Sequence, residues 1–278
     1  MSQFIDLHMH TTHSDGICNP ARILDIVREK NLAAFSVTDH DTLEGYREML
    51  GLLGESDPEL IPGVELSATV DSVDLHILAY LFDPDNVQLT ASLADFQNKR
   101  NQRGRLIVEK LNDMGLDLDY DLVEEIADGS AIARPHIADA MVKRKLVTSF
   151  EEAFCKYISN QGPAYVPKVS LKPREAIELI HLAGGVVVIA HPIVADMYKR
   201  VEELAGMGLD GIEIYHYLHK KQDVKRLKNM ADRYGLVPTG GSDFHGRAKR
   251  EVEIGTLNVP SSFLDELKKR AYQIRGCN

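Results

Sequence analysis

The chain reads as an α/β protein: a mostly parallel, barrel-like sheet interrupted by one all-helical segment. Three observations predict it. Short apolar runs alternate with amphipathic helical patterns up to about residue 85 and again after Gly162-Pro163. Between residues 86 and 162 only the 3.6-residue period is visible. Histidines and carboxylates also recur at the ends of the apolar runs, the edge where barrels gather their chemistry.

The first run, Phe4-Ile5-Asp6-Leu7-His8-Met9-His10, organises the rest. Residues i and i+2 of a strand share a face, so His8 and His10 point into one cavity while Leu7 and Met9 point away. Asp15 follows in the next loop. Asn19-Pro20 reads as an N-cap and first helical position, and Ile23, Leu24, Val27 and the stop at Asn31 outline a helix. Ala33 to Thr38 is a buried strand ending at Asp39-His40-Asp41. A second helix is expected from a capping box of Asp41 and Glu44, with Leu43, Tyr46, Leu50 and Leu53 on its apolar stripe. Leu60 to Val64 makes a strand that ends at Glu65, and another strand starts with His76.

The rhythm breaks at Asp83-Pro84-Asp85. Leu89, Leu93, Phe96, Leu106, Val108 and Leu111 define one long helix, Tyr120–Ile126 a short one and Pro135–Leu146 a third. Ser149-x-x-Glu152 opens a fourth as a capping box. We therefore expect residues 1–85 and 163–278 to form the barrel and 86–162 a helical cap. Beyond 163, Pro173–Ala183 is helical and stops at Gly184-Gly185. Val186–Ala190 is a doubly buried strand ending at His191-Pro192, Gly211–Tyr215 is another, and Val237–Ser242 leads into Asp243-Phe244-His245. About seven strands suggest a barrel whose eighth unit is missing or distorted.

Composition excludes several classes. No apolar run approaches the ~18 residues of a membrane span, and Met1-Ser2-Gln3 leads straight into the first strand without a basic-then-apolar leader. Cys18, Cys155 and Cys277 are scattered and odd in number, as expected of reduced thiols in a cytoplasmic protein. A net charge of −10 argues against a general nucleic-acid coat. It leaves a nucleotide substrate open, because bound dications reverse the local sign.

The chemistry rests on His8, His10, Asp15, His40, Glu65, His76, His191, Asp243 and His245. Singly, each has a plain alternative: an exposed strand for the histidine pair, a core position for His191, a rim carboxylate for Glu65. Nine together point to divalent metal, and they exceed the four to six ligands one ion takes, so two or three ions are implied. Three dications against three carboxylates leave a positive excess that a phosphate dianion and a hydroxide would balance. Clustered ions generate hydroxide near neutral pH. No serine or cysteine triad spacing and no phosphate-binding glycine loop is evident.

His8-x-His10…Ser14-Asp15-Gly16, Thr38-Asp39-His40-Asp41, Gly63-Val64-Glu65, His76, Ala190-His191-Pro192 and Gly241-Ser242-Asp243-x-His245 resemble the successive motifs of the PHP (polymerase and histidinol phosphatase) family. The resemblance implies a distorted (β/α)7 barrel with a trinuclear cluster of manganese, iron or zinc, manganese favoured here. It implies that His8, His10, Glu65 and Asp243 hold one ion, Glu65, His76 and His191 a second, and Asp15, His40 and His245 the third. The catalytic set is then Asp15, His40, Glu65, His191, Asp243 and His245 around a metal-bridging hydroxide that attacks phosphorus in line.

The helical insertion with Arg134-Pro135-His136 resembles one subgroup, whose stand-alone members remove the 3′-phosphate of nucleoside 3′,5′-bisphosphates and in some cases trim short RNA from its 5′ end. Arg134, His136 and His219 are the implied phosphate contacts. Arg134 and His136 also lie at an expected helix start, which favours anions. The expected partner is thus a small phosphorylated substrate, a nucleotide or short RNA end, with no stable protein partner. Rival readings are a histidinol-phosphate or other small phosphomonoesterase, a C–N hydrolase of amidohydrolase type, and a non-catalytic metal-binding module. Lys99, Arg100, Arg103 and Arg105 are read as a solvated helix face that could instead guide RNA, and Lys168 as exposed or near a phosphate. His13 and His181 are read as structural, His216 has no clear role, and Asp39 is expected to orient a neighbouring ligand.

Overall fold

A computed structural model describes residues 4–71, 73–168, 170–246 and 253–276. Met1–Gln3 and Cys277, on which two of the expectations above fall, lie outside the described residues. The chain runs β1 (Phe4–Asp6), α1 (Pro20–Glu29), β2 (Ala34–Phe35), α2 (Glu44–Leu52), β3 (Glu59–Leu60), β4 (Gly63–Val70) and β5 (Val73–Tyr80). Next come α3 (Val87–Asp113), α4 (Tyr120–Ala127), α5 (Arg134–Lys143) and α6 (Phe150–Ala153), which continues into a π-helical turn at Phe154–Ile158. After α7 (Pro173–Leu182) and β6 (Val186–Ile189), a 3-10 turn at Val194–Arg200 leads to α8 (Val201–Gly206) and β7 (Gly211–Tyr215). The chain then forms α9 (Lys221–Tyr234), β8 (Val237–Gly240), β9 (Val259–Pro260) and α10 (Ser262–Gly276). No described helix is long and apolar enough to cross a membrane.

The strands form two sheets, β3-β2-β1-β9 and β4-β5-β6-β7-β8. Isolated bridges Met9–Phe244 and His40–Glu65 draw their edges together. The α/β class stands, but a closed barrel is not formed by the pairing among the described residues. The sheet is also less parallel than expected. β4 pairs antiparallel with β5, and β5 with β6, while β6-β7-β8 and β1-β2-β3 are parallel. Val70 faces Val73 across a tight turn, and a connection that short joins only antiparallel strands.

Local expectations changed in three places. Asp41 sits at φ +55° and does not cap α2, which starts after Leu43 with Thr42 Oγ1 accepting from Glu44 N–H. The buried stripe of α2 is Leu43, Tyr46 and Met49, leaving Leu50 exposed, because the helix begins later than a cap at Asp41 would place it. Glu65 and His76 lie inside β4 and β5 rather than at their ends.

One helix links the two cores. Leu89, Leu93 and Phe96 of α3 pack with Val64, Leu66 and Ile77 of the five-stranded sheet, whereas Ile107, Val108 and Leu111 pack with Val123, Ile137 and Met141 of the inserted helices. A helix of 27 residues is roughly 40 Å long. It therefore joins the core of the five-stranded sheet to that of the inserted helices. No strand occurs among the described residues from 87 to 162.

Candidate metal centre and adjoining cavity

Glu65 is the hub. Its Oε2 lies 3.3 Å from His8 Nε2, 3.2 Å from His10 Nε2 and 3.3 Å from His40 Nδ1. Its Oε1 lies 2.9 Å from His76 Nδ1 and 3.1 Å from His191 Nε2. The antiparallel hairpin makes this possible. Glu65 pairs with Leu78, so His76 is its diagonal neighbour on the same face of the sheet. Asp243 Oδ1 adds a second bridge, 3.2 Å from His8 Nε2 and 3.1 Å from His10 Nε2. Asp15 and His245 close the far side, 3.3 Å apart, with His40 Nε2 3.9 Å from Asp15.

The backbone is bent to achieve this. His191, directly after β6, has φ +28°, and Asp243 has φ +54°. Such values are uncommon outside glycine and concentrate at functional sites.

Eight of the nine residues, all but His191, form three overlapping donor groups: His8, His10, Glu65 and Asp243; His10, Asp15, His40 and His245; and His40, Glu65 and His76. The first has the membership anticipated above. The third group pairs His40, rather than His191, with Glu65 and His76, although His191 touches the same carboxylate.

Electrostatics fit these groups to cations. Burial opposes ionisation of Asp15, Glu65 and Asp243, yet surrounding imidazoles hold all three well below the usual carboxylate range. Burial also depresses the imidazoles. His40 falls to about 3, while hydrogen bonds to Asp243 and Glu65 lift His10 to about 10. Nδ1 of His10 and of His40 are buried without a hydrogen bond. Buried ring nitrogens without a hydrogen bond, set beside three buried carboxylates, are a donor set that a divalent ion satisfies.

Beside the cluster lies a cavity of about 240 Å³ lined by His76, His191, Arg134, Lys168, Asn160 and Asp74, with Val194 and Met197 as apolar wall. Arg134 Nη1 donates to Asn160 Oδ1 at 2.6 Å and to the Ile158 carbonyl at 3.2 Å. Lys168 Nζ is 3.3 Å from His76 Nε2, and burial pulls its ammonium down to about 8. His136 is buried, and its Nδ1 accepts from Ala133 N–H at the start of α5. His219 Nδ1 donates to the Ile214 carbonyl, while its buried Nε2 has no hydrogen bond.

The PHP domain family matches residues 6–204. The chain belongs to that family. It is 32% identical over 250 residues to a 5′-3′ exoribonuclease of Haemophilus influenzae, covering 88% of this chain and 91% of that protein. It is 30% identical to a 3′,5′-nucleoside bisphosphate phosphatase of Chromobacterium violaceum, covering 92% of each. A crystal structure assigned as a metal-dependent phosphoesterase of Bifidobacterium adolescentis superposes with a TM-score of 0.88 at 30% identity, covering 97% of both chains.

In this PHP-domain chain one expectation about supporting residues needs correction. Arg100 and Arg103 do not form a solvated face: Arg100 pairs with Asp41, and Arg103 Nε donates to the Val166 carbonyl. Only Lys99, paired with Asp95, and Arg105, paired with Glu124 and stacked on Tyr120, remain at the surface. The inward turn follows from the first half of α3 packing on the five-stranded sheet through Leu89, Leu93 and Phe96. Asp39 acts on a neighbouring carboxylate ligand rather than on an imidazole. It accepts from Thr11 N–H at 2.7 Å, Thr11 Oγ1 at 2.6 Å and Ser14 Oγ at 2.6 Å, and so fixes the loop that delivers Asp15. His13 pairs with Glu48 and His181 with Asp210, away from the cluster.

Sequence reasoning missed Glu213, which is fully buried on β7 and 2.9 Å from His8 Nδ1. The signal was present: a single carboxylate inside the apolar run Gly211–Tyr215. Such a charge is almost never buried unpaired.

Proposed function

We propose that this PHP-domain enzyme hydrolyses phosphate monoesters and removes the 3′-phosphate of nucleoside 3′,5′-bisphosphates, with 5′-to-3′ trimming of short RNA as a related activity. In this reading the two sheets are the halves of a distorted (β/α)7 barrel. The observation that carries the reading is the cavity that joins Arg134 and Lys168 directly to His76 and His191. A substrate with one phosphate at the cluster has a second cationic station within the same space.

Two or three divalent ions would be held by the donor groups above, an all-nitrogen and oxygen set that fits manganese, iron or zinc, with manganese favoured by the family resemblance. Bound there, the ions supply Lewis acidity that lowers the pKa of water and neutralises phosphoryl charge. The chain's own residues do the rest. Arg134, pre-oriented by Asn160 and Ile158, and Lys168 bind the phosphate that does not react. Val194 and Met197 offer an apolar wall to the nucleoside. His219 could meet phosphate only by taking a second proton at Nε2, since Nδ1–H is committed to Ile214, and burial lowers its pKa.

The test is phosphate release by manganese-loaded protein on adenosine 3′,5′-bisphosphate, AMP and histidinol phosphate. The reading expects strong preference for the bisphosphate with AMP as product. Arg134→Ala should lower kcat/KM for it by roughly 30- to 150-fold, the loss of a charge-assisted contact of about 2–3 kcal/mol. Preference for histidinol phosphate would overturn it in favour of the small-monoester reading.

A further inference from the structure

Behind the donor groups stands a second layer made from a single strand and the residue after it. Glu213 uses both carboxylate oxygens on candidate ligands from other strands. Oε1 accepts from His8 Nδ1 at 2.9 Å, and Oε2 accepts the backbone N–H of His191 at 2.7 Å. With Nδ1–H of His8 committed to Glu213, Nε2 is the nitrogen left to offer a lone pair to an ion on the side of Glu65 and Asp243.

His216 is fixed in the same manner but in the opposite sense. Its Nδ1 accepts from Leu218 N–H at 3.2 Å, so the ring proton sits on Nε2, which donates to Asp243 Oδ2 at 3.1 Å. That leaves Asp243 Oδ1 for the side of His8 and His10. Both second-layer groups are at most 2% exposed.

A backbone irregularity brings the two together. In a regular strand Glu213 would share a face with Tyr215 and not with a residue three positions on. The pairing of β7 with β8 slips between Glu213 and Tyr215. Beyond the slip Tyr215 packs against Phe263 while His216 turns inward, the re-aiming that bulges beside functional sites produce.

We propose that Glu213 and His216 are a positioning pair that sets the His8, His10, Glu65 and Asp243 group for a divalent ion. Glu213 fixes the tautomer of His8 and the turn at His191, and His216 fixes which oxygen Asp243 presents. The proposal rests on the metal-centre reading above. Neither residue touches substrate in it.

The test is Mn2+ binding alone, followed by the free-ion signal in electron paramagnetic resonance, with the full chain and the variants Glu213→Gln, His216→Ala and His216→Gln. Gln at 213 offers an amide N–H where one of two N–H groups needs an acceptor, so it cannot serve both. Mn2+ affinity should fall ten- to a hundredfold in Glu213→Gln and His216→Ala, the usual effect of removing such partners. His216→Gln, whose amide can still donate to Asp243, should recover affinity to within about threefold of the parent. Far-UV circular dichroism reports folding separately. Should Glu213→Gln not fold, the two His216 variants carry the test: loss in one and rescue in the other supports the pair. Folded variants that bind Mn2+ within twofold of the parent overturn it while leaving the metal centre intact. A parent chain that binds no Mn2+ overturns both readings.

Discussion

Arg100 Nε donates to Asp41 Oδ2 at 2.7 Å, and the same guanidinium reaches Ser67 Oγ at 2.9 Å. Asp41 in turn accepts from Ser67 N–H. One arginine therefore clamps the long helix α3 to the residue after His40 and to β4, two positions beyond Glu65.

That clamp should matter for stability. Asp41 is buried and Arg100 nearly so, and removing one partner leaves a charge without compensation. Arg100→Met is expected to cost about 3 kcal/mol in urea unfolding. A loss below about 1 kcal/mol would mean that the pair behaves like a surface contact.

Gly45→Ala tests how tightly the Asp15 loop is held. In an exposed helix that change gains up to about 1 kcal/mol. Here the new Cβ would lie 2.7 Å from Thr11 Oγ1 and closer still to Asp39 Oδ2, the two groups that anchor the loop. We expect a loss of about 1–3 kcal/mol instead, as for overpacking. A gain in melting temperature would sink the account of Asp39 as a rigid anchor.

Metal removal should be visible as lost stability. The donor groups assemble only in the folded chain, so an ion that binds them stabilises that state. Mn2+ at a hundred times its Kd adds about 2.7 kcal/mol, or roughly 5–10 °C in Tm for a domain of this size. Chelator should reverse the shift and excess Mn2+ restore it. Identical melting curves with and without Mn2+ would falsify the metal-centre reading.

Acid stability offers a check away from the centre. Arg28 grips Asp57 with two bonds of 2.7 Å, and those bonds, with Gly54 N–H, hold the Asp57 carboxyl down at about 2 against an ordinary 3.8. A lowered folded value means that the pair's contribution is complete above the unfolded value and is lost as pH falls through about 2. Carbon-detected NMR of the carboxyl should find Asp57 still ionised at pH 3. In Arg28→Gln its midpoint should move back towards the ordinary value.

Much of the centre is legible in the chain because ligand positions are tied to local rules. A spacing of two residues puts His8 and His10 on one face of an extended segment, whatever surrounds it. Asn19-Pro20 starts α1 and Gly184-Gly185 follows α7, since caps and helix ends depend on nearest neighbours. The family motifs mark Glu65, His191 and Asp243 in order.

What the tertiary structure alone decided is direction and pairing. Whether β4 and β5 run parallel or antiparallel is a matter of connection geometry, and only the hairpin brings His76 diagonal to Glu65. Arg100 reads as a surface residue on an amphipathic helix until the sheet beneath α3 supplies Asp41. Glu213 and His216 meet ligands more than 20 residues away, through a strand slip that no local pattern encodes. By itself the sequence determined which residue types could bind metal and phosphate, since short-range stereochemistry and donor chemistry travel with the residue. The partners of buried charges came only from the fold, because desolvation and hydrogen bonding depend on what the rest of the chain places beside them.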